Sequence, residues 1–202
     1  ALKKPMVTTS YVAPEMEALD GAAKDAGVVI LNEIGVDPGI DHMSAMRIID
    51  DVHARGCKIR HFRSYCGGLP APEANDNPFG YKFSWAPRGV LLATANGARY
   101  WRDNHVVEVE PDRLFRDMHL LNVPEAGDFE AYPNRDSLMY KDIYNLGDEV
   151  RTVFRGTLRY LGWCATMYQF KAIGLLDTAE RPSAGKTCSA YMRELLGAGA
   201  DK

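Results

Sequence analysis

The stretch NEIGVDPGIDHMSA, residues 32–45, packs three carboxylates (Glu33, Asp37 and Asp41), two glycines and a proline between an apolar run and a segment of helical periodicity. A turn of this composition suits a ligand loop. Its glycines let the backbone approach a bound molecule closely, Pro38 pre-sets one dihedral, and Asp37 and Asp41 stand around a helix start, where a carboxylate is also favourable as a cap. Capping accounts for one of the two aspartates but not for both. A second group of residues has complementary chemistry. Arg135 in YPNRDS and Arg155 with Arg159 in RGTLRY sit in polar turns or beside Gly and Thr, where guanidinium forks can grip carboxylates in paired contacts. Any one of them alone is an ordinary solvated arginine. Tyr11 and Cys66 can each assist proton transfer, although a cysteine between a tyrosine and two glycines reads rather as a packed thiol.

These residues need a scaffold, and the opening third supplies a strand-helix-strand-helix order. PMVTTSYV is a strand, APEMEALDGAAKDAG a helix closed by Gly27, and VVILNEI a continuous apolar strand of the kind buried on both faces in a parallel sheet. In IDHMSAMRIIDDVHARG, Ile40, Met43, Met46, Ile49 and Val52 recur at helical spacing and Gly56 is the stop; CKIRHFRSYCGG then reads as a strand. Doubly wound sheets place ligands beyond the carboxyl ends of their strands, where both TTSY and GVDPGIDH lie. Past residue 67, GGLPAPEANDNPFG is a rigid irregular loop whose continuation YKFSW argues for order. RGVLLATANGARYW reads as a helix, HVVEVE as a strand, and residues 111–130 carry no clear period. YPNRDS is a turn in which Asp136 and Ser137 cap a following helix; VRTVFRGTLRYLGW is a strand running into the helix CATMYQFKAIGLL, and CSAYMRELLG is a last helix. The fold class is α/β: the end of a doubly wound Rossmann-type sheet (1–42) followed by an α/β mixed-sheet substrate or dimerisation domain (43–202).

Composition removes several function classes. A formal net charge of −3 creates no field that would draw nucleic acid or an anionic membrane, and no apolar stretch approaches the ~18 residues of a membrane span. Cys57, Cys66, Cys164 and Cys188 form no CxxC pair, which fits a reduced interior, and the five histidines form no HExxH motif, so no metal site is expected. GxGxxG, GxxxxGK[ST] and GxSxG are all absent; a dinucleotide phosphate turn would have to precede Ala1.

Taken together, GVDPGIDHM, SYCGGLPAPE, NPFGYKFSW, YPNRDS and RGTLRY resemble the L-glutamate-forming saccharopine dehydrogenases, which in some organisms are fused to a lysine-ketoglutarate reductase as aminoadipic semialdehyde synthase. The resemblance runs from residue 5 to residue 176. It implies an oxidoreductase of lysine metabolism acting on the CH–NH bond of a secondary amine, with NADP or NAD as cofactor. Saccharopine would be cleaved to L-glutamate and 2-aminoadipate 6-semialdehyde, or formed in reverse. It further implies roles for individual residues. Ser10 and Tyr11 match a substrate-contacting pair, and Asp37 a residue facing substrate and cofactor together, so that Asp37 and Tyr11 are the expected catalytic groups. Gly35, Val36, Asp37, Pro38, Gly39, Ile40, Asp41 and His42 match the loop along the cofactor, with Trp85 also near it. Arg135 matches an arginine on a substrate carboxylate, and Thr157, Leu158 and Arg159 a further substrate segment.

The expected partners are a small amino-acid substrate and a second copy of the chain in a homodimer, in the cytoplasm or, within a bifunctional enzyme, the mitochondrial matrix. The isolated chain is expected to be inactive, because the resemblance places it in the middle of a longer protein. Two other readings stay open: a carboxynorspermidine dehydrogenase or homospermidine synthase-like enzyme, and a non-catalytic assembly domain whose apolar strands and aromatic loop form an interface.

Overall fold

A computed structural model describes residues 3–197. β1 (Met6–Val7) and β2 (Ile30–Leu31) pair in parallel, Met6 opposite Ile30, with α1 (Pro14–Glu17) and α2 (Asp20–Asp25) between them. Pro14 opens α1, where the missing N–H is no loss, and Gly27 in the left-handed region ends α2. Within the described residues VVILNEI is not buried on both faces. The regular strand is two residues long, and Val7, Val29, Leu31 and Ile34 are exposed, because a two-stranded sheet shields neither face.

α3 (Ile40–Ala54) follows the glycine turn and stops before Gly56, at φ +69°. The expected stripe is only partly buried: Ile49 is enclosed and Met46 partly so, while Ile40 and Met43 face outward. Ile49 packs with Tyr140, Tyr144, Leu146, Val150 and Val153, a cluster that seats the helix on the second and larger sheet.

That sheet is mixed and six-stranded: β3 (His61–Cys66), β4 (Ala98–Arg102), β5 (His105–Val109), β6 (His119–Val123), β7 (Gly127–Pro133) and β8 (Thr152–Arg159). β8 is its centre. Along one edge β3 runs parallel to it from His61↔Thr152 to Cys66↔Thr157; the other edge is shared, β4 meeting it at Trp101↔Val153 and β7 from Pro133↔Gly156 to Glu130↔Arg159. Alternation along β8 sends Val153, Arg155, Thr157 and Arg159 to one face and Phe154 to the other, against Tyr65 and Tyr100.

Two segments correct the sequence reading. RGVLLATANGARYW is not one helix: α4 (Pro87–Ala93) ends at Thr94, and residues 98–102 form β4 with Ala98 and Tyr100 buried. Pairing with β5 and β8 outweighs local helix propensity there, and the chain passes so close to Val109 at Gly97 that a Cβ would lie 2.7 Å from the Val109 carbonyl oxygen. The unread stretch 111–130 is a 3-10 turn, Pro111–Arg116, that buries Leu114 and Phe115, followed by the β6–β7 hairpin. The proline-rich loop is ordered as expected: Tyr160 Oη donates to the Pro70 carbonyl at 2.9 Å, and Tyr81 is buried 4.8 Å from the Trp163 ring. α5 (Tyr140–Ile143), α6 (Trp163–Ala172) and α7 (Cys188–Leu195) complete the chain, α7 capped by Thr187 Oγ1, which accepts from the Ala190 amide.

Leu146, 2% exposed in the cluster under α3, should cost about 2–5 kcal/mol when replaced by alanine. Leu120→Ala, at a position 66% exposed, should stay within about 0.5 kcal/mol. Urea unfolding of the two variants of the full-length protein checks the contrast.

Candidate active site

The turn that opens α3 is closed by its own backbone. The Gly35 amide donates to the Pro38 carbonyl at 3.0 Å, Ile40 to Gly35 at 2.9 Å and Asp41 to Val36 at 3.0 Å. The Asp37–Pro38 peptide is cis, and Gly39 adopts φ +147° with its α-carbon so near Gly35 that a Cβ would lie 2.7 Å from the Gly35 carbonyl carbon. No other residue fits that position. The turn aims the carboxylates of Asp37 and Asp41 at β8, where Arg155 receives both.

Arg155 Nη2 donates to Asp37 Oδ1 at 2.8 Å and to Asp41 Oδ2 at 2.7 Å; Nη1 donates to Tyr140 Oη at 2.7 Å. The Tyr140 ring lies under the guanidinium at 4.6 Å, and the Arg155 side chain is 6% exposed. Tyr11 Oη donates to Asp37 Oδ1 at 2.6 Å and accepts a longer bond, 3.4 Å, from Arg155. Asp41 also caps, its Oδ1 accepting from the Gly39 amide at 2.7 Å, whereas Asp37 is held wholly by side chains. His42 continues the network: Nδ1 lies 2.5 Å from Tyr144 Oη, and Nε2 faces Glu33 Oε2 at 3.3 Å.

The electrostatics follow from burial and these partners. Burial, then the bond to Asp37, pushes the Tyr11 hydroxyl well above the ordinary tyrosine range, so Tyr11 is a neutral donor rather than a phenolate base. Burial, then Asp37, pushes the Cys66 thiol up to about 11, so it too is neutral near pH 7. Burial works against the Arg155 cation, but Tyr11, Tyr140 and Asp37 reverse that effect and raise its pKa. One guanidinium thus faces two carboxylates, and the excess negative charge favours a cationic centre such as a protonated amine.

The other expected residues fall in three places. Ser10 is exposed beside Tyr11, its carbonyl accepting from the Glu33 amide at 3.0 Å. Arg135 is exposed, in the left-handed region at φ +53°, with its guanidinium 5.4 Å from the Tyr11 ring; among the described residues it has no carboxylate partner. Thr157 is half-buried opposite Cys66 in the β3–β8 register, and Leu158 lies on the other face, against Gly67. Arg159 is buried against the paired Tyr81 and Trp163 rings, at 4.9 and 5.3 Å; its Nη1 donates to the Leu158 carbonyl and its Nε has no partner among the described residues. Val36 and Ile40 are exposed on the turn itself, and Trp85 stands apart, exposed, with its ring over Gly89. Of the expected caps, Asp136 accepts from the Leu138 amide at 2.8 Å, but Ser137 Oγ accepts instead from the Arg155 amide at 3.1 Å.

Residues 35–198 match the family described as Saccharopine dehydrogenase C-terminal domain. The chain belongs to that family. Relatives include the saccharopine dehydrogenase [NADP(+), L-glutamate-forming] of Pyricularia oryzae, 51% identical over 89% of this chain and 40% of its own length, and that of Saccharomyces cerevisiae, 44% identical over 97% and 44%. The alpha-aminoadipic semialdehyde synthase of Arabidopsis thaliana is 43% identical over 99% of this chain but 19% of its own. The solved apo structure of the Saccharomyces cerevisiae saccharopine dehydrogenase superposes with a TM-score of 0.83 at 42% identity, covering 95% of this chain and 44% of that one. The chain therefore spans less than half the length of the family members it matches.

Sequence reasoning named Arg155 as an arginine suited to gripping carboxylates without saying whose; the structure gives it the protein's own. The signal was its place at an inward position of VFRGTLR, among residues that otherwise bury. Tyr140 was missed, and its one sequence cue is the i, i+4 spacing to Tyr144 in YKDIY.

The raised Cys66 thiol should show in alkylation kinetics. Its rate should climb about tenfold per pH unit from about pH 8 to about pH 10 without a plateau, while the exposed Cys57 and Cys188 react first. A plateau for Cys66 near pH 9, read by mass spectrometry of labelled peptides, would contradict this account of its surroundings.

Proposed function

We propose that this chain supplies the substrate-binding part of an NADP-dependent, L-glutamate-forming saccharopine dehydrogenase. The relatives' names support the activity and the cofactor. The observation that carries the reading is the Tyr11–Asp37–Arg155–Asp41 network, with its surplus of negative charge, beside Arg135 and on the same strand as Arg159, two arginines that lack carboxylate partners among the described residues. Saccharopine combines a secondary amine with three carboxylates, and this arrangement complements both features. Two such arginines, Arg135 and Arg159, favour it over a polyamine precursor with fewer carboxylates.

In this reading Asp37 holds the amine and exchanges its proton, and the neutral Tyr11 hydroxyl steadies Asp37 by donating to it. Arg135 and Arg159 fix the substrate carboxylates, so that the carbon beside the amine is presented in one orientation. The exposed apolar side chains of Val36 and Ile40, on a turn whose glycines permit close approach, fit a flat ring laid beside Asp37. Val36, Ile40 and the glycines of the turn would hold a nicotinamide cofactor, which when bound would supply the hydride acceptor.

In the full-length enzyme, Asp37→Asn should lower turnover by about tenfold to a thousandfold. Arg135→Ala should weaken saccharopine use by about 2–5 kcal/mol while cofactor affinity hardly changes. Steady-state kinetics with saccharopine and NADP test both. Unchanged turnover for Asp37→Asn removes it from the chemistry, and unchanged saccharopine affinity for Arg135→Ala makes Arg135 a structural residue.

A further inference from the structure

We infer that Arg155, anchored by Asp41, is a positioning residue that sets the orientation of the Asp37 carboxylate. The inference rests on the reading that Asp37 meets the substrate amine. Backbone hydrogen bonds close the 35–41 turn on itself, but the seating of the turn on the large sheet and the rotation of the Asp37 side chain both depend on contacts from outside it. That rotation is set from outside, by Tyr11 and Arg155, and both of their hydrogen bonds end on Oδ1. Oδ2 is left for another donor, the Cys66 thiol or a substrate amine.

Arg155 is suited to this because it is itself immobile. Its amide is bonded to Ser137 Oγ, its Nη1 to Tyr140, and its guanidinium face rests on the Tyr140 ring. It projects from the central strand of the large sheet, so the reference point for Asp37 lies 118 residues further along the chain. Asp41 completes the device. One of its oxygens is bonded to the turn through the Gly39 amide and the other to Arg155, so it ties the turn and the guanidinium to each other without depending on Asp37. Lysine in place of Arg155 keeps the charge but has no planar fork to serve Asp37, Asp41 and Tyr140 together. Asp41→Asn keeps the shape and the cap while weakening the tie to Arg155.

The test uses the full-length enzyme with the variants Arg155→Lys and Asp41→Asn, and two independent readouts. Steady-state kinetics should show kcat reduced by about ten- to a hundredfold in Arg155→Lys, and less in Asp41→Asn, with the KM values for saccharopine and NADP within about threefold of the parent. Hydrogen exchange should quicken at the amides of Gly35, Gly39, Ile40 and Asp41 but not along β3 and β8. A loss of kcat with unaltered exchange in the turn, or a loosened turn with full kcat, overturns the proposal. If Arg155→Lys loosens the whole sheet, Asp41→Asn decides on the same two criteria. Full turnover in Asp37→Asn would instead overturn the role given to Asp37, while the exchange data would still report whether Arg155 holds the turn.

Discussion

A guanidinium on the central strand of a sheet, with its side chain 6% exposed, loses several kcal/mol of hydration unless ionised and polar partners surround it. Arg155 has such partners from three separate stretches of chain: Asp37 and Asp41 from the glycine turn, Tyr11 from the segment after β1, and Tyr140 from the short helix after YPNRDS. Each would be costly to withdraw, because a buried donor of the guanidinium would lose its acceptor. The demand of this one cation for partners therefore holds the first forty residues against the larger sheet. It does so with polar contacts directed at atoms, where apolar packing would fix only an area.

The same constraint explains why the three arginines singled out by their surroundings behave differently. Arg155 is neutralised within the protein. Arg159 is buried with aromatic faces and a single backbone carbonyl for company, and Arg135 is exposed at a left-handed turn position beside Tyr11. Among the described residues neither Arg135 nor Arg159 is in salt-bridge contact with a carboxylate, although the buried Glu130 stands opposite Arg159 in the β7–β8 register. Around Asp37 the imbalance has the opposite sign.

Sharing one edge of β8 between β4 and β7 is what allows this arrangement. β4 leaves the strand after Trp101↔Val153 and β7 joins it at Pro133↔Gly156, and in the gap the YPNRDS turn passes close enough for the Asn134 amide to donate to the Arg155 carbonyl and for Ser137 Oγ to accept from the Arg155 amide. The Arg155 backbone is thus satisfied by a turn rather than by a strand. That turn also brings Arg135 to the Tyr11 ring and Tyr140 to the guanidinium.

Much of this was legible in the residues themselves. Local signals placed the helix from Ile40, the stop at Gly56, the strand and helix on either side of Gly162, and a ligand-type turn around Asp37, since glycine, proline and apolar spacing act over a few residues. The motifs also carried the family. What the sequence could not express was partnership at long range. Residues 98–102 look helical in isolation and become a strand only because β5 and β8 offer hydrogen bonds; VVILNEI looks doubly buried, yet its strand has one neighbour. Which carboxylates Arg155 would grip was open until the fold brought it two aspartates from more than a hundred residues away. Residue types and short spacings thus determined which chemistry the chain carries, and only the tertiary structure decided which charges are spent on each other and which remain for a ligand, because that depends on distances set by the pairing of strands remote in the chain.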